Sequence, residues 1–179
     1  MIRYLIKERN ADPMRIFVQG SSSGCMMTNV LLATYPDLFR GGSCYSGVAA
    51  GCLAGSPGSS PQTADPTCAF GRNVKTGEEW AKLVRSMRPD WKGGYPRLQT
   101  FHGTADEFVD YNNLAEQLKQ WAAIQGVEFT RNVTDMPQPG YTSMEYGEHR
   151  MVVGISAHNV GHTVPVDRDA DVEWFDLGA

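Results

Sequence analysis

Gly20-Ser-Ser-Ser-Gly24 sets Ser22 between two glycines. Far down the chain stand an aspartate in His102-Gly-Thr-Ala-Asp106 and a histidine in Gly161-His162-Thr-Val-Pro165. A serine hydroxyl is too weakly acidic to attack a carbonyl unaided. It needs a general base within hydrogen-bond reach, and the base needs a carboxylate to fix its tautomer. Ser22, Asp106 and His162 are the residue types of acyl transfer through a covalent serine intermediate. Asp110 is the nearest rival acid. His158 is the rival base, but it stands early on its loop for reaching Ser22. His102 reads as structural, and His149, between Glu148 and Arg150, as part of an exposed charged turn. No Cys/His spacing fits a zinc site, so no metal is expected, and this chemistry requires no cofactor.

Three elements must place Ser22. Ile16-Phe-Val18 is a short apolar run that reads as a buried strand, and Cys25 to Thr34 reads as a helix. Strand, G-x-S-x-G turn and helix make up the nucleophile elbow of an α/β-hydrolase. The five-residue pattern alone is common; the flanking strand and helix, in the required order, give it weight. The two glycines are expected to let strand and helix close around a serine in a strained backbone conformation. The Ser23 amide, at the helix start, is the candidate oxyanion donor. In this fold the acid and then the histidine follow the serine, on loops after the carboxyl ends of strands. Leu98–Phe101 reads as a strand ending at the Asp106 loop, and Met151–Ile155 as a strand leading to the His162 loop.

The rest of the chain alternates in the same way. Residues 1–9 read as an amphipathic helix ending near Asn10, and Gly41–Gly47 as a buried strand. Val48 to Lys75 has neither helical nor alternating period, and a loop of that length is expected to be a lid or binding loop. Thr76–Met87 is a helix opened by a capping box, Thr76 with Glu79. Tyr111–Ile124 is a helix with Leu114, Leu118 and Trp121 on one face. Phe129–Val133 and Ser143–Tyr146 read as weak strands, and Ala170–Leu177 as a final short helix. The prediction is one domain over residues 1–179, a three-layer α/β sandwich around a mostly parallel sheet.

Composition narrows the function classes. The 179 residues carry a net charge of −4, which gives no reason to expect nucleic acid or an anionic membrane as partner. No apolar run approaches the length that crosses a bilayer, and the first residues do not read as a signal peptide. Cys25, Cys44, Cys52 and Cys68 allow three complete pairings. Cys52 and Cys68 bracket a Gly/Ser/Pro-rich loop that a disulfide would restrain, whereas Cys25 and Cys44 are expected to be buried thiols. Asn132-Val-Thr134 is a glycosylation sequon, and the cysteine pattern favours an extracellular protein. Trp80, Trp91 and Tyr95 are candidates for sugar stacking, with packing as the ordinary use of each.

Taken together, Asn10-Ala-Asp-Pro, Gly20-Ser-Ser-Ser-Gly, Met26-Met-Thr-Asn-Val, Ala33-Thr-Tyr-Pro-Asp, Tyr45-Ser-Gly-Val, His102-Gly-Thr-Ala-Asp and Gly161-His-Thr-Val-Pro resemble the fungal acetylxylan esterases of carbohydrate esterase family one. Feruloyl esterases and polyhydroxybutyrate-depolymerase-like esterases are relatives of that family. The resemblance implies a secreted, monomeric serine esterase that removes acetyl groups from xylan, with Ser22 as nucleophile, Asp106 as acid and His162 as base. A feruloyl esterase is the alternative within the class, and a non-catalytic, carbohydrate-binding remnant the alternative outside it. It supports a bridge between Cys52 and Cys68, while Cys25, Cys44 and the Gly55–Pro61 segment depart from the family pattern. It also implies that strands flanking the elbow strand, and the loop with a second oxyanion amide, lie in sequence ahead of Met1.

Overall fold

Short apolar runs joined through helices favour parallel strands, because a parallel return needs a long crossover. The structure, a computed structural model, describes residues 1–58, 60 and 62–178; Ser59 and Pro61 of the Gly55–Pro61 segment, and Ala179, lie outside the described residues. Its helices are α1 (Ile2–Arg9), α2 (Ser23–Thr34), α3 (Pro66–Ala69), α4 (Gly77–Met87), α5 (Asn112–Gln125) and α6 (Arg168–Trp174). The strands are β1 (Phe17–Ser21), β2 (Gly41–Tyr45), β3 (Arg97–Gly103), β4 (Phe129–Thr134), β5 (Tyr141–Tyr146) and β6 (Val152–Ala157).

Among the described residues these strands form one sheet in the order β1-β2-β3-β6-β5-β4. β1, β2, β3 and β6 are parallel. β5 and β4 run antiparallel, because no helix separates β4, β5 and β6 in sequence. The sheet is therefore mixed, with a parallel part that carries the site. β1 pairs only with β2 among the described residues, so the strand leading to Ser22 lies at the sheet's edge.

Strand alternation sends neighbouring residues to opposite faces. Leu98 and Val152 meet Cys25 and Leu32 of α2 and Leu114, Leu118 and Trp121 of α5. Tyr45, Phe101, Val153 and Ile155 meet Trp174 of α6 and Phe175 just beyond it. This is the expected layering, with helices on both sides. The capping box of α4 is present: Thr76 Oγ1 accepts from the Glu79 amide at 3.2 Å, and Glu79 Oε2 accepts from the Thr76 amide at 2.8 Å.

Buried polar side chains tie the layers together. Trp121 donates to Asn29 Oδ1 at 2.8 Å, and Asn29 donates to Gln117 Oε1 at 2.8 Å and to the Val48 carbonyl at 2.9 Å. On the other face the Asp171 carboxylate of α6 accepts from Tyr45 at 2.9 Å, from Gln99 at 2.8 Å, and from Gln19 and Ser43. Burial raises the affinity of this carboxyl for a proton, and the bonds from Ser43, Tyr45 and Gln99 oppose that shift.

Two expectations are corrected. Cys25 and Cys44 are not thiols: they are joined in a disulfide, with their Cα atoms 4.7 Å apart. The crossover explains it, since α2 packs back over β2 and sets its first turn above Cys44. Cys52 and Cys68 are also bonded, with Cα atoms 5.8 Å apart. The Val48–Lys75 stretch contains the four-residue α3, too short for a period to show in sequence. Its Val48, Ala49, Cys52 and Cys68 pack against Trp80 and Val109. No described helix is long and apolar enough to cross a membrane.

Candidate active site

Ser22 stands between the end of β1 and the start of α2, with φ of 54° and ψ of −118°. A residue with a Cβ is strained there, and it stays only because the surroundings hold it. One holding bond is from the Ser22 amide to the Tyr45 carbonyl at 2.8 Å. The second is the closeness of strand and helix: a Cβ on Gly20 would lie 2.2 Å from the Gly24 carbonyl carbon. Gly24 itself has open space around the same position, so of the two glycines only Gly20 is demanded by packing. Ser23 is the first residue of α2, where the opening amides have no intrahelical acceptor and the helix dipole favours negative charge.

The acid and the histidine come from the ends of β3 and β6, neighbours in the sheet. A Cβ on Gly103 would lie 2.1 Å from the Val160 carbonyl oxygen, so the two following loops touch backbone to backbone. Ala105 donates to the Val160 carbonyl at 3.0 Å, and the Asn159 amide donates to Thr104 Oγ1 at 2.9 Å. These contacts fix the loops against each other. Asp106 Oδ1 accepts from the amides of Phe108 at 2.9 Å and Val109 at 2.8 Å. Its Oδ2 lies 2.8 Å from His162 Nδ1, and His162 Nε2 lies 2.9 Å from Ser22 Oγ.

The Asp106 side chain is fully out of solvent, and His162 is 21% exposed. Burial works against the Asp106 charge, but donors from His102, Val109, His162 and Phe108 outweigh it and hold the carboxyl well below the usual carboxylate range. A permanently charged acceptor on Nδ1 orients the imidazole so that Nε2 faces the serine hydroxyl. The structure thus brings Ser22, His162 and Asp106 together at the carboxyl ends of the parallel strands. A cavity of about 440 Å³ lined by Arg15, Phe17, Arg40, Arg97 and Phe175 lies at the opposite, amino ends.

The rivals are placed elsewhere. Asp110 Oδ1 caps the Asn112 amide at 2.8 Å, at the start of α5. His158 and His149 are exposed on their loops. Trp80 is fully buried and donates to Glu116 at 2.7 Å, which removes it as a sugar platform. Tyr95 packs at the core margin, and Trp91 lies under the Arg88 guanidinium at 4.9 Å. Asn132 is exposed on β4. Among the described residues no group of three His, Cys, Asp or Glu side chains could hold a metal ion.

Two neighbours were not legible as part of the site. Phe108 is 71% exposed, with its ring centroid 5.5 Å from that of His162. His102, read as structural, reaches Asp106 from its buried side. Their positions, two after and four before Asp106, carry no pattern of their own; only the turn of the chain brings them in.

A mixed sheet with helices on both faces, a serine at a strand–turn–helix elbow and a histidine and carboxylate on the next strand ends make this an α/β-hydrolase fold with a serine-hydrolase geometry. The chain belongs to the prolyl oligopeptidase family, whose sequence pattern matches residues 1–138. It is 41% identical over 177 residues to a feruloyl esterase B of Talaromyces stipitatus, covering 99% of this chain and 49% of that protein. It is 42% identical over 179 residues to a probable acetylxylan esterase A of Aspergillus clavatus, covering 98% of this chain and 57% of that one. An acetyl xylan esterase from Aspergillus awamori superposes with a TM-score of 0.90 at 38% identity, over 99% of this chain and 65% of that structure. The resemblance to fungal acetylxylan and feruloyl esterases holds along the whole chain, which spans about half to three fifths of the length of these curated relatives.

Proposed function

We propose that this protein is a carboxylic ester hydrolase of the serine type, acting on acetyl esters of xylan outside the cell. The observation that carries the reading is the line of short contacts from Ser22 Oγ through His162 to Asp106, built on a serine with φ of 54°. Relatives named as acetylxylan and feruloyl esterases support the ester as substrate and the plant cell wall as its source. The two disulfides fit an oxidising compartment, and the exposed Asn132 is then a candidate glycosylation site.

In this mechanism His162 Nε2 takes the Ser22 proton as Oγ attacks the ester carbonyl carbon. The Ser23 amide donates to the oxyanion that forms. The tetrahedral intermediate collapses, His162 passes the proton to the leaving sugar oxygen, and an acyl-serine remains. Water, deprotonated by the same imidazole, attacks the acyl carbon; the carboxylic acid leaves and Ser22 regains its proton. Asp106 stays ionised throughout and stabilises the imidazolium. No cofactor enters any step.

Exposed Phe108 beside His162 favours a second reading, in which the acyl group is aromatic, as a feruloyl group is. The ratio of kcat/KM on acetyl and feruloyl esters separates the two. The primary test is hydrolysis of a chromogenic acetate ester by the purified protein beside its Ser22→Ala variant. Turnover in the first and a fall of at least about a thousandfold in the second is the expected result. Turnover that survives Ser22→Ala overturns the assignment. Binding of xylan by folded protein with no ester turnover would instead favour a non-catalytic role.

A further inference from the structure

The mechanism leaves one buried histidine unused. His102, near the end of β3, is fully buried, and its Nε2 lies 2.8 Å from the Val109 carbonyl oxygen and 3.2 Å from Asp106 Oδ2. Both neighbours of Nε2 are acceptors, so Nε2 carries the proton. Nδ1 has no hydrogen-bond partner among the described residues, and a proton placed there would be a buried donor without an acceptor. The Nε2–H is therefore aimed at the turn that carries the acid.

Resting on the proposed triad, we infer that His102 is a positioning residue for catalysis: its Nε2–H clamps Asp106 Oδ2 and the Val109 carbonyl in one geometry and so fixes the oxygen that orients His162. The two carboxylate oxygens are held in different ways. Oδ1 is held by the Phe108 and Val109 amides of its own turn. Oδ2, the oxygen facing His162 Nδ1, has His102 as its other neighbour. His102 sits on the sheet, opposite Ser156 of β6, and so connects the loop to its most rigid support. The backbone ties of the Asp106 turn and the His102 clamp share Val109, whose carbonyl is bound by the ring and whose amide is bound by the carboxylate. Releasing the ring frees both ends of that arrangement.

The titratable groups facing His102 among the described residues are Asp106, with His162 beyond it, and Tyr111, whose ring meets the imidazole edge-on at 6.2 Å. Tyr111 donates its hydroxyl to Ser156 at 2.8 Å and so is occupied away from the ring nitrogens. Removing the Nε2 donor leaves more charge on Oδ2 facing His162, which stabilises the imidazolium that must lose its proton before attack. The clamp therefore acts on both the rate and its pH dependence.

Two polar variants separate this from simple packing. A glutamine amide nitrogen reaches the place of Nε2, whereas an asparagine nitrogen reaches only that of Nδ1. His102→Asn is expected to lower kcat about tenfold to a hundredfold with KM within about twofold, a loss typical of a misplaced group. It should also move the acid limb of the kcat/KM profile to higher pH. His102→Gln is expected to restore most of kcat and the profile. Thermal melting is recorded for both, because a purely structural role lowers melting without moving the pH profile. Equal impairment in both variants, or a wild-type profile in folded His102→Asn, overturns the proposal. If His102→Asn does not fold, His102→Gln decides alone: a profile matching wild type supports the clamp, and a displaced one overturns it. Ser22→Ala, run alongside, reports on the triad itself, so failure of that reading is seen as turnover that does not depend on Ser22.

Discussion

Asp106 holds a charge where solvent does not reach, and the turn around it supplies the donors that make this possible. Its depressed proton affinity has a consequence for stability. Above the ordinary carboxylate value of about 4, Asp106 is ionised in both folded and unfolded chains, and the folded state keeps the full benefit of its donors. As pH falls below that value the unfolded chain takes up the proton first, and the benefit shrinks toward the depressed folded value. The melting temperature of wild type should therefore fall toward that of Asp106→Asn between about pH 5 and pH 3. A constant gap across that range would remove this carboxylate from the acid response. Ser22 was readable from its glycine spacing together with the apolar strand and the helix that flank it. Its partners were readable only as types in order, because 56 and 84 residues of chain separate them, and spacing carries no distance.

At the scale of elements, β1 and α2 form the elbow by approaching each other at Gly20. Ala at this position would need the backbone of Gly24 to move, since a Cβ would lie 2.2 Å from its carbonyl carbon. Gly20→Ala should cost at least about 1–3 kcal/mol, the range of forced overpacking, and abolish ester turnover. Gly24→Ala meets nothing and should leave stability within about 0.5 kcal/mol. Paired urea melts of the two variants test this, and equal stability would show that the elbow has room to spare. Element positions followed well from sequence where a period or a cap marked them, as for α4 behind Thr76 and for α5 with Leu114, Leu118 and Trp121 on its buried side. The loop after β2 was harder. Its packing depends on Trp80 and Val109, which lie outside it.

Across the whole molecule, two disulfides fasten the layer that carries the elbow. Cys25–Cys44 joins the first turn of α2 to β2, and Cys52–Cys68 closes the base of the long loop beside it. Alkylation of denatured, unreduced protein should label no cysteine. Labelling of Cys25 and Cys44 would restore the thiol reading. Replacing both by alanine should cost about 2–5 kcal/mol by freeing the unfolded chain, measured as a lower urea midpoint.

The sequence by itself determined the elbow, the order of serine, acid and histidine, and the alternation that builds a parallel sheet, because each is written in local spacing or chain order. Only the tertiary structure decided the rest. The crossover of α2 onto β2 turned two expected thiols into a bridge. The lack of a helix between β4, β5 and β6 made the sheet mixed. The folding of the β3 end onto its own loop set His102 against Asp106 and stood Phe108 beside His162. These are contacts between residues that no repeat or motif links, and they exist only once the sheet has brought its strand ends together.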